Sequence, residues 1–157
     1  MTSRAHRIAL AISNRLALIS TDNGYRTNIG QKVSRGVQTI DTRNGQQIVF
    51  SDGDDKIAQQ VANNVKLSQA YAVEGYSEPA DMDNPLDTAL NMIADIKQAL
   101  WGDPEWRRTL GLARGEVDVQ NAISYGGRVV TPRAEGSGFV GAGILITVTF
   151  AEDLANP

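Results

Sequence analysis
Val117-Asp118-Val119-Gln120-Asn121-Ala122-Ile123-Ser124-Tyr125 and Phe139-Val140-Gly141-Ala142-Gly143-Ile144-Leu145-Ile146-Thr147-Val148-Thr149-Phe150 decide how this chain is built. In the first run Val117, Val119, Asn121, Ile123 and Tyr125 turn one way, and Asp118, Gln120, Ala122 and Ser124 turn the other. That is the period of a half-buried strand. In the second run Val140, Ala142, Ile144, Ile146, Val148 and Phe150 share one face, and the β-branched residues concentrated at its end favour a strand. Gly126 to Gly138 lies between them, too long for a two-residue hairpin turn and bearing Arg128, Arg133 and Glu135. The sequence therefore predicts an extended arm at about 126–138, ordered by something other than its own core.

Outward from this pair, Ala5, Ile8, Ile12, Leu16 and Ile19 recur at helical spacing from Ser3 to about Ser20, with Ser3 as N-cap. Leu10 and Leu18 fall off that stripe. Asn23-Gly24 stops the helix. Short strands are expected over Lys32–Val37 and Gln46–Phe50, able to pair with each other, and an alternating strand over Val65–Val73. Ser51-Asp52-Gly53-Asp54-Asp55 reads as an acidic turn; a calcium loop is disfavoured because Lys56 occupies the next ligand position. Ile57–Asn64 fits a short helix or an irregular bridge. Asn84, Pro85 and Asp87 open a second helix whose stripe is Leu86, Ala89, Leu90, Ile93, Ile96 and Leu100, and Gly102-Asp103-Pro104 closes it. Trp106 to Leu110 forms a short helical fragment or turn. The order α-β-β-β-α-β-β predicts one α+β domain over 1–157. It has two layers, a mostly antiparallel sheet of about five strands with two main helices on one face.

Composition bounds the function. The chain has 157 residues, 41% hydrophobic and 21% charged, enough to bury a core without staples. Cysteine is absent, which removes disulfides, thiolate metal sites and a cysteine nucleophile. A net charge of −3 argues against gripping nucleic acid through many phosphates. No apolar run reaches the roughly 20 residues needed to span a bilayer, so no membrane partner and a cytosolic product are expected. The single histidine, His6, has no second histidine with which to build a zinc site or a triad, and Asp81, Asp83, Asp87 and Asp95 read as solvated carboxylates. Gly136-Ser137-Gly138 and Gly141-Ala142-Gly143 lack the Lys-Ser or Lys-Thr of a phosphate loop. The residues point to no catalysis, no cofactor and no metal.

Several phrases, in their order and spacing, carry a resemblance. They are Arg7-Ile8 to Ile19, Thr21-Asp22-Asn23-Gly24-Tyr25-Arg26-Thr27, Arg35-Gly36, Val73-Glu74-Gly75-Tyr76 and Ile93-Ala94-Asp95-Ile96-Lys97-Gln98-Ala99-Leu100. Gly127-Arg128 to Pro132-Arg133, Glu135-Gly136-Ser137 and Thr147-Val148-Thr149-Phe150 complete the set. Over nearly the whole chain this resembles the tail terminator, or tail completion, proteins of long-tailed, siphovirus-like bacteriophages. The resemblance implies a virion protein at the head-proximal end of the tail, assembled in the host cytoplasm. Its subunits would form a homo-hexameric ring that caps the tail tube, ends its polymerisation and joins the head-tail connector or stopper protein. DNA would transit the lumen without specific binding, which an acidic chain suits. A head-tail connector or neck protein of the same virion is the alternative, followed by a small-ligand or peptide-binding α+β module. A ring subunit needs two different surfaces that meet heterologously. The candidates are Leu10 and Leu18, off the core stripe, and Arg128, Val129, Val130, Arg133 and Glu135 of the arm.

Overall fold
The computed structural model describes residues 2–36, 40, 45–110, 112, 123–131 and 138–157. Helix α1 spans Arg4–Leu16, α2 Pro85–Trp101 and α3 Pro104–Thr109; the strands are β1 Val33–Arg35, β2 Gln46–Val61, β3 Asn64–Ser77, β4 Ile123–Thr131 and β5 Val140–Asp153. They form one sheet in the order β1-β2-β3-β5-β4. β1 runs parallel to β2 and every other pairing is antiparallel. The helices lie on one face: α2 packs on β5 and β3, and α1 packs on α2 and β1. The chain is therefore a two-layer α+β domain.

The core follows from the alternation of the two central strands. Cross-strand pairs Leu67 with Phe150, Tyr71 with Ile146 and Val73 with Ile144 share the covered face. Ile8, Ile12 and Leu16 of α1 and Met92, Ile96, Ala99 and Leu100 of α2 fill the space above them. Each such aliphatic side chain contributes about 1.5–3 kcal/mol by leaving water. Helix α1 is capped by the Ser3 hydroxyl, which accepts from the His6 N–H, and stops at Leu16; Ile19 reaches the core from the turn beyond. A 3-10 turn over Thr21–Asn23 follows, ended by Gly24 at φ +83°.

The structure corrects five sequence expectations. Ser51–Asp55 is not a turn, and Ile57–Val61 is neither helix nor bridge: both belong to β2, which pairs along the whole of β3 with register shifts at Asp52/Asp55 and Ile57/Gln59. The strand period was invisible because residues 52–61 are exposed on both faces. Leu86 and Leu90 do not join the core; Thr88, Met92 and Asp95 take that side of α2. The first half of the expected arm is ladder. Arg128 to Thr131 pair with Ile144 to Gly141 after a bulge at Gly126-Gly127, where Gly127 adopts φ +109°. Residues 113–122 and 132–137, including Arg133 and Glu135, lie outside the described residues, as does the proposed strand from Val117 to Ala122. Finally, Asp95 is not solvated but fully buried.

Asp95 fastens the connection between the first helix and the sheet. Its carboxylate accepts from the backbone N–H of Arg26 at 3.0 and 3.1 Å and from the Thr27 N–H at 2.8 Å and hydroxyl at 2.7 Å. The Arg26 guanidinium donates to it at 3.1 Å. In the same connection the Gly30 N–H donates to the Ile19 carbonyl at 3.1 Å, and Ile29 is fully buried. This segment is part of the core.

Candidate assembly surfaces
Three exposed features stand on this scaffold. The first is a groove between α1 and α3 of about 570 Å³, lined by Arg7, Leu10, Ala11, Leu18, Arg15 and Trp106 among others. Leu10 and Leu18 are 40% and 45% exposed, Leu10 on the side of α1 turned away from the buried Ile8, Ile12 and Leu16 and Leu18 in the turn beyond the helix. The opposite wall exists because Asp103 begins α3: its carboxylate accepts from the Glu105 and Trp106 N–H groups, and Pro104 occupies the first turn. Arg15 ties the two helices together. Its guanidinium lies 5.3 Å from the Trp106 ring centre and 3.6 Å from Asp103, and its Nε donates to the Ala99 carbonyl at 2.9 Å. Leu110 ends α3 in a left-handed conformation, φ +47°, fixed by complete burial of its side chain.

The second feature is the outer half of the β2–β3 hairpin, hereafter the finger. β1 covers only Ile48–Phe50 of β2, so the edge beyond it is open among the described residues. Ile57 and Val61 are 65% and 64% exposed there, beside Asp52, Asp54 and Asp55. Its tip is a two-residue turn, with Ala62 at φ +52° between the paired Val61 and Asn64.

The third is the uncovered sheet face, where Val129 of β4 and Leu145 of β5 are exposed. Arg128 and Val130 point to the helix side, across from Ile144 and Ala142, with Val130 half-buried. The structure thus groups Leu10 with Leu18 on one groove, but places Val129 on a different surface and divides it from Arg128 and Val130. Trp106 and Arg15 were not anticipated as groove walls. Asp103-Pro104 was read only as the end of α2, although an Asp-Pro pair is also the start signal of a helix.

A cleft between the start of α1 and the first three strands brings His6, Arg35, Asp52, Gln69 and Tyr71 together. The Tyr71 ring stacks on Phe50 with centres 4.9 Å apart. Burial, and secondarily the Asp52 carboxylate, raises its hydroxyl from 10.0 to about 12. Tyr76 is likewise raised to about 12, by burial, then by its hydrogen bond to Glu74 and the charge of that group. Between pH 10 and 12 the unfolded chain releases these protons while the folded chain holds them, so stability falls as pH rises through that window. Tyr71→Phe is expected to remove up to about 2 kcal/mol of that fall. Urea midpoints of both proteins at about pH 9 and about pH 11.5 check it; equal losses for the two would refute the assignment.

Among the described residues, no group of three or more His, Cys, Asp or Glu is placed to hold a metal ion, and no helix is long and apolar enough to cross a membrane. No protein-family model and no curated protein matches the chain. Among solved structures the fold is similar to that of a chain in the virion of native gene transfer agent (GTA) particle. The TM-score is 0.57 at 14% identity, over 97% of this chain and 100% of that one. At that identity the likeness is one of fold, and it extends from end to end of both chains.

Proposed function
We propose that this protein is a structural, non-catalytic virion component whose copies form a ring on the head-proximal end of a tail tube. The ring ends tube polymerisation and joins the tail to the head connector. The observation that carries this reading is the end-to-end likeness to a chain of a GTA virion, since a single-domain match without missing or added parts favours the same kind of building block. The groove, the finger and the uncovered sheet face supply the several distinct surfaces that a ring subunit with partners above and below requires. The acidic balance of the chain, −3, suits a conduit through which DNA slides without being held.

Electron microscopy of particles assembled without this chain tests the assignment. Tails of uncontrolled length are the expected result. Tails of normal length that fail to join heads would move the protein to the neck, and normal, joined particles would refute both positions.

A further inference from the structure
Resting on the ring reading, this inference concerns the charge and apolar pattern of the α1–α3 groove and of the finger. Helix α1 carries Arg4, Arg7 and Arg15 and no carboxylate, and α3 adds Arg107 and Arg108 against Glu105. The groove between them is lined by Leu10, Ala11, Leu18 and Trp106, with Arg7 and the Asp103-paired Arg15 as its charged residues, so its apolar wall is basic at Arg7. The far end of the sheet has the opposite character. Asp52, Asp54, Asp55, Glu152 and Asp153 outnumber Lys56 and Lys66 there, and Ile57 stands exposed among them. Asp55 and Ile57 pair with Gln69 and Leu67, so the two side chains lie next to each other on one face of the finger.

We propose that the finger of one copy seats in the α1–α3 groove of the next, with Ile57 against Leu10, Leu18 and Trp106 and Asp55 facing Arg7. Contact between an acidic, apolar projection and a basic, apolar groove removes both exposed leucines and Ile57 from water and places opposite charges together. Because groove and finger are different parts of the same chain, the contact is heterologous. Repeated by rotation it closes a ring; without closure it would give a filament. The finger has no core of its own beyond β3, so a neighbour's groove supplies the burial that its outer strand lacks.

The chain has no cysteine, which makes the contact directly testable. Two single variants of the full chain, Leu18→Cys and Ile57→Cys, one of them tagged to differ in mass, are mixed in equal amounts and oxidised once light scattering registers assembly. Mixed disulfide dimers in at least fivefold excess over those from a control pair, Leu18→Cys with Leu90→Cys, are expected. Assemblies of ring mass without that excess would overturn the finger-in-groove contact while leaving the ring reading intact. Failure to assemble, alone and on tail tubes, would remove the ring reading and this contact with it. In a second arm Asp55→Arg weakens assembly at least tenfold and the added Arg7→Glu restores most of it, with unchanged thermal transitions. Equal assembly by the single and double variants would count against the charge pairing, and a Leu18→Cys link to a tube or connector protein would give the groove to that partner.

Discussion

Asp95→Ala is expected to lower the stability of the isolated chain by about 4 kcal/mol, a large fraction of what a domain of this size possesses. The carboxylate has no exposed surface, and it accepts from two backbone N–H groups, a hydroxyl and a guanidinium. Alanine leaves the Thr27 N–H and hydroxyl buried without an acceptor, and each orphaned group costs about 1–3 kcal/mol. The Arg26 side chain is half exposed and regains water, so the ion pair itself is the smaller part of the loss. Asp95→Asn keeps the shape but turns an amide donor toward other donors, and about half the loss is expected. Thr27→Val removes one hydroxyl and should cost about 1 kcal/mol. Urea unfolding followed by tryptophan fluorescence measures all three; a loss below 1 kcal/mol for Asp95→Ala would mean that the Thr27 groups find other partners.

Gly30→Ala carries the second large effect. A Cβ at this position would sit 2.6 Å from the carbonyl oxygens of Leu16 and Ile19 and 2.9 Å from the Ile19 N–H nitrogen. These are backbone atoms at the end of α1 and cannot rotate away. The connection must shift, lengthening the bond from the Gly30 N–H to the Ile19 carbonyl and moving the buried Ile29 beside it. About 3 kcal/mol is expected, at the upper end of what inserted volume costs in a packed interior. Gly24 is a useful contrast: nothing lies within 4 Å of its would-be Cβ, but its φ of +83° disfavours any side chain, and Gly24→Ala should cost about 1 kcal/mol. A smaller effect at Gly30 than at Gly24 would show that conformation rather than space governs this connection.

Periodicity made much of this architecture legible. Helices α1 and α2, the centre of β3 and β5 from Val140 to Phe150 each concentrate their buried apolar residues on one side, and that is the signal sequence reading detects. The finger escaped because its outer strand has no covered side, so nothing forces alternation, and its aspartates have the composition of a turn. The ladder from Arg128 to Thr131 escaped because two glycines precede it, and a bulge looks like a break until its partner strand is known. Asp95 could have been found: Thr88, Met92, Asp95 and Ala99 are spaced four, three and four apart, which puts the carboxylate on the covered side of α2. Leu10 and Leu18 were visible as departures from the α1 stripe, whereas the Trp106 wall depends on how α3 folds back. That is a tertiary fact with only a capping signal in the sequence.

The strand order has a consequence in time. Of the described strands β5 comes last in the sequence, yet it lies inside the sheet between β3 and β4. Until it is made, Val65, Leu67, Tyr71 and Val73 belong to a strand with one side unladdered, and the pairing that completes it joins distant parts of the chain. Among the described strands the insertion of β5 between β3 and β4 is therefore a late step, and the open edge of β3 waits for it. A chain made only as far as β4 has no finished sheet.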